Sequence, residues 1–270
     1  MKKTAITDYR IKINRTEAGT GTVRAVYITD LHNAVWNNDP DCLPGIIEGI
    51  RPDLILCGGD MIVAHPRDNV KAALYFMNRM LDIAPVCFGL GNHEFRSRIY
   101  PETYGTMYGD FMDPLLERGM ILLDNGRTDM SVNGLNLAVY GLSIPRANYR
   151  RFQDVPLQTG KIRSLIGSPD RERVSILLAH NPKYCASYLK WGADLTLCGH
   201  YHGGIAGLGK NRGLVSPGLE PFPAYARGSV RKGEKTLIIS SGLGEHTVPV
   251  RINNPRELVR LEITAGQTEQ

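Results

Sequence analysis

Five histidines, two aspartates and one asparagine stand just past the ends of short apolar runs, and together they offer the ligand types that hold divalent metals. Asp30 and His32 follow residues 23–29, and Asp60 follows Leu54-Ile55-Leu56-Cys57-Gly58-Gly59. Asn92 and His93, with Glu94 beside them, follow residues 86–91; His180 follows residues 174–179; His200 and His202 follow Leu195-Thr196-Leu197-Cys198 and Gly199. Imidazole nitrogen, carboxylate oxygen and amide oxygen in one set suit manganese, zinc or iron, whereas an all-oxygen set would suit calcium or magnesium. A lone histidine is ordinarily a hydrogen-bonded surface or core residue, so no single position decides anything. Recurrence at five run ends argues for one shared site, with His65 and His246 outside it.

The runs have to be strands for this to work, because ligands in α/β folds lie beyond the C-terminal edges of strands. Residues 9–14 alternate at period two and predict an edge strand, which residues 17–22 turn back into residues 23–29 as an opening hairpin. Residues 42–50 predict a helix stopped by Arg51-Pro52-Asp53. Residues 68–81 predict another, with Val70, Ala73, Leu74, Met77 and Met80 on one apolar face. Residues 94–109 carry Arg96, Arg98, Tyr100, Tyr104 and Tyr108 without clean periodicity and predict a long active-site loop. Helices are expected over 110–118, 155–166 and 182–191. Further strands are expected over 121–123, 129–132, 135–140, 226–231, 236–240 and 258–263, with Asn133-Gly134 as a two-residue hairpin turn. Alternating strands and helices define the α/β class, and residues 264–270 read as a frayed tail.

Bulk properties narrow the function. A chain of 270 residues, 42% hydrophobic, can bury a full core, and we expect one domain over 1–270. The formal charge of +5 rests on scattered basic residues, which makes nucleic acid an unlikely partner and leaves a mild attraction for anionic substrates. Five cysteines, an odd number with three in apolar runs, read as buried free thiols and fit a cytoplasmic location. Residues 1–10 hold no apolar signal core, and no run is long enough to span a bilayer. The glycine-rich stretch ending in Lys210 is not a nucleotide-binding loop, since Asn211 stands where Ser or Thr is required.

Thr29-Asp30-Leu31-His32, Gly58-Gly59-Asp60, Gly91-Asn92-His93-Glu94, His180 and Gly199-His200-Tyr201-His202 resemble the five blocks of the calcineurin-like metallophosphoesterase superfamily, in order and approximate spacing, over roughly residues 23 to 204. His202-Gly203-Gly204, Tyr225-Ala226-Arg227-Gly228 and Ser240-Ser241-Gly242-Leu243-Gly244 further resemble its bacterial YaeI-like and YkuE-like phosphodiesterase branch. The resemblance implies a four-layer αββα sandwich of two mixed sheets flanked by helices, where periodicity alone gives only α/β. It implies two divalent metal ions, with Asp30, His32 and His202 on the first and Asn92, His180 and His200 on the second. Asp60 would bridge them at about 3.5 to 4 Å, close enough to share a hydroxide. His93, Asp60 and Asn92 are the catalytic candidates. His93 is left without a metal and would stabilise charge or protonate the leaving oxygen, while Glu94 either orients it or faces solvent.

The implied reaction is phosphodiester hydrolysis by attack of a metal-bridging hydroxide, with no protein nucleophile. The substrate would be a small phosphoester, soluble or lipid-linked at a membrane surface. Ala64 and the run Arg251-Ile252-Asn253-Asn254-Pro255 depart from the branch pattern, which bears on the pocket and not on the ligands. A phosphomonoesterase, a non-catalytic metal-bound interaction module and a nucleic-acid phosphodiesterase stay open. The last would need stacking aromatics such as Trp36, Tyr100, Tyr104, Tyr108 or Tyr149 in an electropositive groove.

Overall fold

A computed structural model of the chain describes residues 4–149, 155–204, 207–208, 212–213, 226–245, 251 and 253–266. Arg150, Arg151, most of the 205–211 stretch, Tyr225 and His246 lie outside the described residues.

Two six-stranded mixed sheets carry the structure. The first runs in the order β1 (Thr4–Ile13), β14 (Arg256–Ala265), β2 (Gly21–Ile28), β3 (Leu54–Cys57), β4 (Val86–Gly89), β5 (Ile121–Leu123). The second runs β12 (Gly228–Lys232), β13 (Lys235–Ile239), β9 (Leu195–Cys198), β8 (Val174–Leu178), β7 (Leu135–Gly141), β6 (Gly126–Val132), and a two-residue ladder pairs β10 (Gly207–Leu208) with β11 (Arg212–Gly213). The helices are α1 (Cys42–Ile50), α2 (Lys71–Ile83), α3 (Asn92–Ile99), α4 (Pro101–Tyr104), α5 (Met107–Glu117), α6 (Thr159–Ile166) and α7 (Cys185–Trp191).

Alternation within the strands explains the layering. Val26, Ile28, Ile55, Cys57, Val86 and Phe88 point one way, into a cluster with Ile47 of α1, Met77 and Met80 of α2 and Phe111 of α5. Their neighbours Ala25, Tyr27, Leu54, Leu56 and Cys87 point the other way, onto Leu137, Val139, Ile176, Leu178, Leu195 and Leu197 of the second sheet. The remaining face of that sheet, with Ala138, Tyr140, Leu177 and Leu237, is covered by Ile162 and Ile166 of α6 and Tyr188 and Trp191 of α7. Central strands buried on both faces read as near-continuous apolar runs, as β3, β4, β8 and β9 do, with Ser175 and Thr196 the buried polar exceptions. The outcome is the four-layer αββα sandwich.

Three sequence expectations change. Residues 9–14 and 23–29 do not form a hairpin: β14 lies between β1 and β2, parallel to the first and antiparallel to the second. β14 wins the inner place because Leu258 packs under the helices while Val259, Leu261 and Ile263 pack between the sheets, whereas β1 alternates with exposed residues and suits an edge. Residues 94–109 are not a loop; α3 and α4 occupy most of them and α5 begins at Met107. The face that α3 buries is Glu94 and Ser97, so a search for apolar spacing passes over it. Thr264 and Ala265 do not belong to a frayed tail, since they pair with Lys12 and Ile13; residues 267–270 lie outside the described residues. Smaller shifts are the start of α6 at Thr159 and a short 3₁₀ turn, Pro182–Tyr184, ahead of α7.

Candidate metal centre

Every ligand-type residue expected from the sequence lies at the C-terminal end of a strand or opens the helix that follows. Asp30 and His32 come after β2, Asp60 after β3, Asn92 and His93 after β4 as the first residues of α3, His180 after β8, and His200 and His202 after β9. The first three loops belong to one sheet and the last two to the other, so the site straddles the line where the two sheets face each other.

Backbone strain aims these side chains. Asp30, His32, Asp60, His200 and His202 all have φ between 49° and 67°, in the left-handed region that non-glycine residues seldom occupy. The strain is held by hydrogen bonds that continue the strand pairing into the loops. Asp30 N–H donates to Gly59 O at 2.9 Å, His32 N–H to Asp60 O at 3.1 Å, Asn33 N–H to Met61 O at 2.9 Å and Gly199 N–H to His180 O at 3.0 Å. Gly59 is needed for this approach: its φ is +82°, and a Cβ there would come within 1.9 Å of the Gly91 nitrogen.

Three overlapping groups of donor atoms result among the described residues, each with its atoms within 4.8 Å of one another: Asp30, His32 and His202; His32, Asp60 and His93; Asp60, His180 and His200. The Nε2 atoms of His32 and His202 face each other at 3.0 Å. His180 turns Nδ1 to the Gly58 carbonyl at 2.8 Å, which leaves its Nε2 3.0 Å from Asp60 Oδ2. That same Oδ2 is 3.9 Å from His32 Nε2, so one carboxylate oxygen lies between the two outer groups. Asp60 Oδ1 accepts the His93 N–H at 2.8 Å, and both oxygens of Asp30 accept the His200 N–H at 3.0 Å. Asn92 brings a buried Oδ1 that has no hydrogen-bond partner.

Electrostatics follow from packing two carboxylates and several imidazoles out of water. Burial pushes the Asp30 carboxyl up to about 6, against the pull of His180. Burial acts on Asp60 in the same sense, but His180, His93 and His32 outweigh it and hold that carboxyl well below its usual range. Burial would lower His180, yet Asp60 and Asp30 raise it to about 9. An unpaired buried amide oxygen, crowded carboxylates and imidazole nitrogens aimed at one another form a donor set that fits divalent cations, since cations would satisfy all of them at once.

His93 and Glu94 behave differently from the other site residues. Ala64 N–H donates to His93 Nδ1 at 2.8 Å, and Arg96 Nη2 approaches the same nitrogen at 3.2 Å. In the neutral ring the proton then sits on Nε2, which becomes a donor and not a ligand. Glu94 neither orients His93 nor faces solvent. It is fully buried, and its two oxygens accept backbone N–H groups from Asp60 at 2.8 Å, Met61 at 2.7 Å, Ile62 at 3.3 Å and Gly91 at 3.1 Å. Burial and the Asp60 charge push it up to about 7, but an acceptor of four N–H groups is held in its charged form. The signal that could have located this role is the helix-capping spacing of Gly91 to Glu94, an acid at the third helical position. A second contact not foreseen is Arg251, largely buried and 3.3 Å from His202 Nδ1, which burial lowers to about 10.

With this geometry in place, the chain is assigned to a family: residues 23–204 match the calcineurin-like phosphoesterases, and the protein belongs to that family. Two relatives are similar over most of the chain. An uncharacterized metallophosphoesterase of Campylobacter jejuni, Cj0846, is 26% identical over 261 residues, covering 89% of this chain and 59% of its own length. The phosphodiesterase YaeI of Escherichia coli K12 is 24% identical over 245 residues, covering 89% of this chain and 82% of its own. The chain thus spans less than two thirds of the Campylobacter relative. Among solved structures, the phosphopantetheinyl hydrolase of Mycobacterium tuberculosis aligns with a TM-score of 0.47 at 12% identity, over 83% of this chain and 89% of that one. No helix among the described residues is long and apolar enough to cross a membrane.

Proposed function

We propose that the protein is a two-metal phosphoesterase that hydrolyses small phosphodiesters, free or lipid-linked, in the cytoplasm. The observation that carries this reading is Asp60 Oδ2, 3.0 Å from His180 Nε2 on one side and 3.9 Å from His32 Nε2 on the other. Asp30, His32 and His202 would hold one cation, Asn92, His180 and His200 the other, and Asp60 both. When bound, such a pair acidifies water and neutralises phosphoryl oxygens. The chain's own residues do the rest. His93 presents an Nε2–H as a hydrogen-bond donor that stabilises charge developing on the leaving oxygen, and Glu94 holds the Asp60 and Gly91 loops together so that the donors stay aligned.

The diester reading draws on the similarity to YaeI and on the state of the nearby arginines. Arg96 is spent on Ala64 O and His93, Arg98 on Asp124, and Arg146 on Tyr100. Arginines already paired offer little to the extra charge of a terminal phosphate. The test is metal stoichiometry joined to activity. Purified protein should bind about two divalent ions per chain and lose turnover on chelation, with manganese, zinc or iron restoring it. Asp60→Ala should lose both occupancies together. Undiminished activity after exhaustive chelation would refute the reading.

A further inference from the structure

We propose that the hydroxyl of Tyr149 contacts the phosphoryl group of the substrate, while its ring holds His200 in place. This rests on the phosphoesterase reading above. Tyr149 ends a 3₁₀ turn, Arg146–Tyr149, that follows β7 of the second sheet. Both flanks of the turn are tied down. Arg146 donates to Tyr100 Oη and lies over that ring, 4.6 Å from its centroid, which links the turn to the end of α3. Asn148 is buried, and its Nδ2 donates to Tyr184 Oη at 3.0 Å and to Val155 O at 3.3 Å. The half-buried phenol that follows these anchors meets the His200 ring in a T-shaped contact, centroids 5.5 Å apart and planes at 79°.

The hydroxyl is what remains to be explained. Tyr140, Tyr184 and Tyr188 spend theirs on the fold: Tyr140 Oη accepts the Asp170 N–H at 3.0 Å, Tyr184 Oη lies 3.0 Å from Val155 O, and Tyr188 Oη donates to Asn181 O at 2.9 Å. Tyr27 Oη lacks a partner, but it is sealed between the sheets with no exposed surface. Tyr149 Oη has no hydrogen-bond partner among the described residues, yet its ring lies against a candidate ligand, where a bound phosphoester would sit. A tyrosine hydroxyl is protonated at neutral pH and can donate. A neutral donor next to a cation site can bind a phosphoryl oxygen without adding charge, which suits a singly charged diester.

The test is Tyr149→Phe in the full chain loaded with manganese, since phenylalanine keeps the ring on His200 and removes only the hydroxyl. Two properties are read: kcat/KM on bis-p-nitrophenyl phosphate and the affinity for inorganic phosphate by calorimetry, each alongside metal content. A hydrogen bond to a charged group is worth enough that loss of about tenfold in kcat/KM is expected, with weaker phosphate binding and unchanged metal content. Unchanged turnover and unchanged phosphate affinity in the variant would overturn the inference and leave the phosphoesterase reading intact. Loss of metal would overturn it too, by making Tyr149 a support for His200 alone. Wild-type protein that binds phosphate without turning over diesters would sink the diester reading, and the calorimetric comparison would still decide Tyr149. Metal-loaded wild type that neither turns over nor binds phosphate would overturn both.

Discussion

The backbone N–H of Ala64 donates to His93 Nδ1 over 2.8 Å, and this one bond separates His93 from the other histidines of the site. His180 turns Nδ1 to a carbonyl, which leaves Nε2 as the atom that would meet a cation; His93 accepts a hydrogen bond at Nδ1, which leaves Nε2 as a donor in the neutral ring. His93→Ala is therefore expected to retain both metals and lose rate by about 10² to 10⁴ on substrates with poor leaving groups. The loss should shrink as the leaving oxygen becomes better able to carry negative charge unaided. A series of aryl diesters of rising leaving-group pKa measures this, and equal losses across the series would show that His93 does not act on the leaving oxygen.

Glu94 supplies the second prediction. One carboxylate holds four backbone N–H groups from two site loops, with no exposed surface. Glu94→Ala would strand those donors in the interior and should lower stability by about 3 kcal/mol or more. Metal affinity should fall with it, because Asp60 lies at the centre of the stapled loop. Glu94→Gln keeps one acceptor oxygen and turns an amide NH₂ against N–H donors, so it should fall between the two. Urea unfolding paired with metal titration checks this; an alanine variant within about 1 kcal/mol of wild type would show that the staple is dispensable.

Much of this arrangement could be read from residue order, and the reasons for the misses are physical. The candidate ligand positions were legible because strands buried on both faces are mostly apolar, so a polar residue soon after Cys57 or Cys198 marks the rim. α1 and β3 were legible to the residue, since Arg51 stops the helix with a φ of 53° and Pro52 follows. The opening hairpin was wrongly expected because β14, which lies between β1 and β2, comes more than 230 residues later and pairing over that distance leaves no local trace. α3 was missed because its buried face is Glu94 and Ser97, satisfied by hydrogen bonds and not by apolar contact. The left-handed backbone at Asp30, His32, Asp60, His200 and His202 was not legible either, since aspartate and histidine do not announce that conformation as glycine does.

A control away from the site separates stability from metal chemistry. Arg15, in the connection after β1, reaches across to Asp194 before β9, with Nη2 to Oδ1 at 2.8 Å and Nη1 to Oδ2 at 3.0 Å, and Nη1 also meets Arg173 O at 2.7 Å. Asp194 Oδ2 additionally accepts the Ser175 N–H at 2.8 Å, so the pair straps one sheet's connection to the other sheet's strands. Both side chains are largely buried, and removing one partner leaves the other charge uncompensated. Asp194→Ala should cost about 2 to 4 kcal/mol in unfolding free energy while the folded fraction keeps wild-type metal affinity. Reduced metal affinity at unchanged stability would contradict the division of roles.

The last prediction concerns the choice between diester and monoester. A terminal phosphate carries more negative charge than a diester and rewards additional cationic contacts, whereas a diester needs space for a second organic arm. Among the described residues, the arginines that could have supplied such contacts are engaged elsewhere: Arg96 on Ala64 O, Arg98 on Asp124, Arg146 on Tyr100. Manganese-loaded protein should therefore turn over bis-p-nitrophenyl phosphate with a higher kcat/KM than p-nitrophenyl phosphate, measured on one preparation at one pH. A monoester preference of tenfold, about 1.4 kcal/mol in transition-state binding, would overturn the diester assignment. It would also require the arginines to exchange their present partners for substrate. Arg146→Gln tests that exchange directly: it should leave monoester turnover unchanged if Arg146 stays on Tyr100, and lower it by about tenfold if the guanidinium moves onto the phosphate.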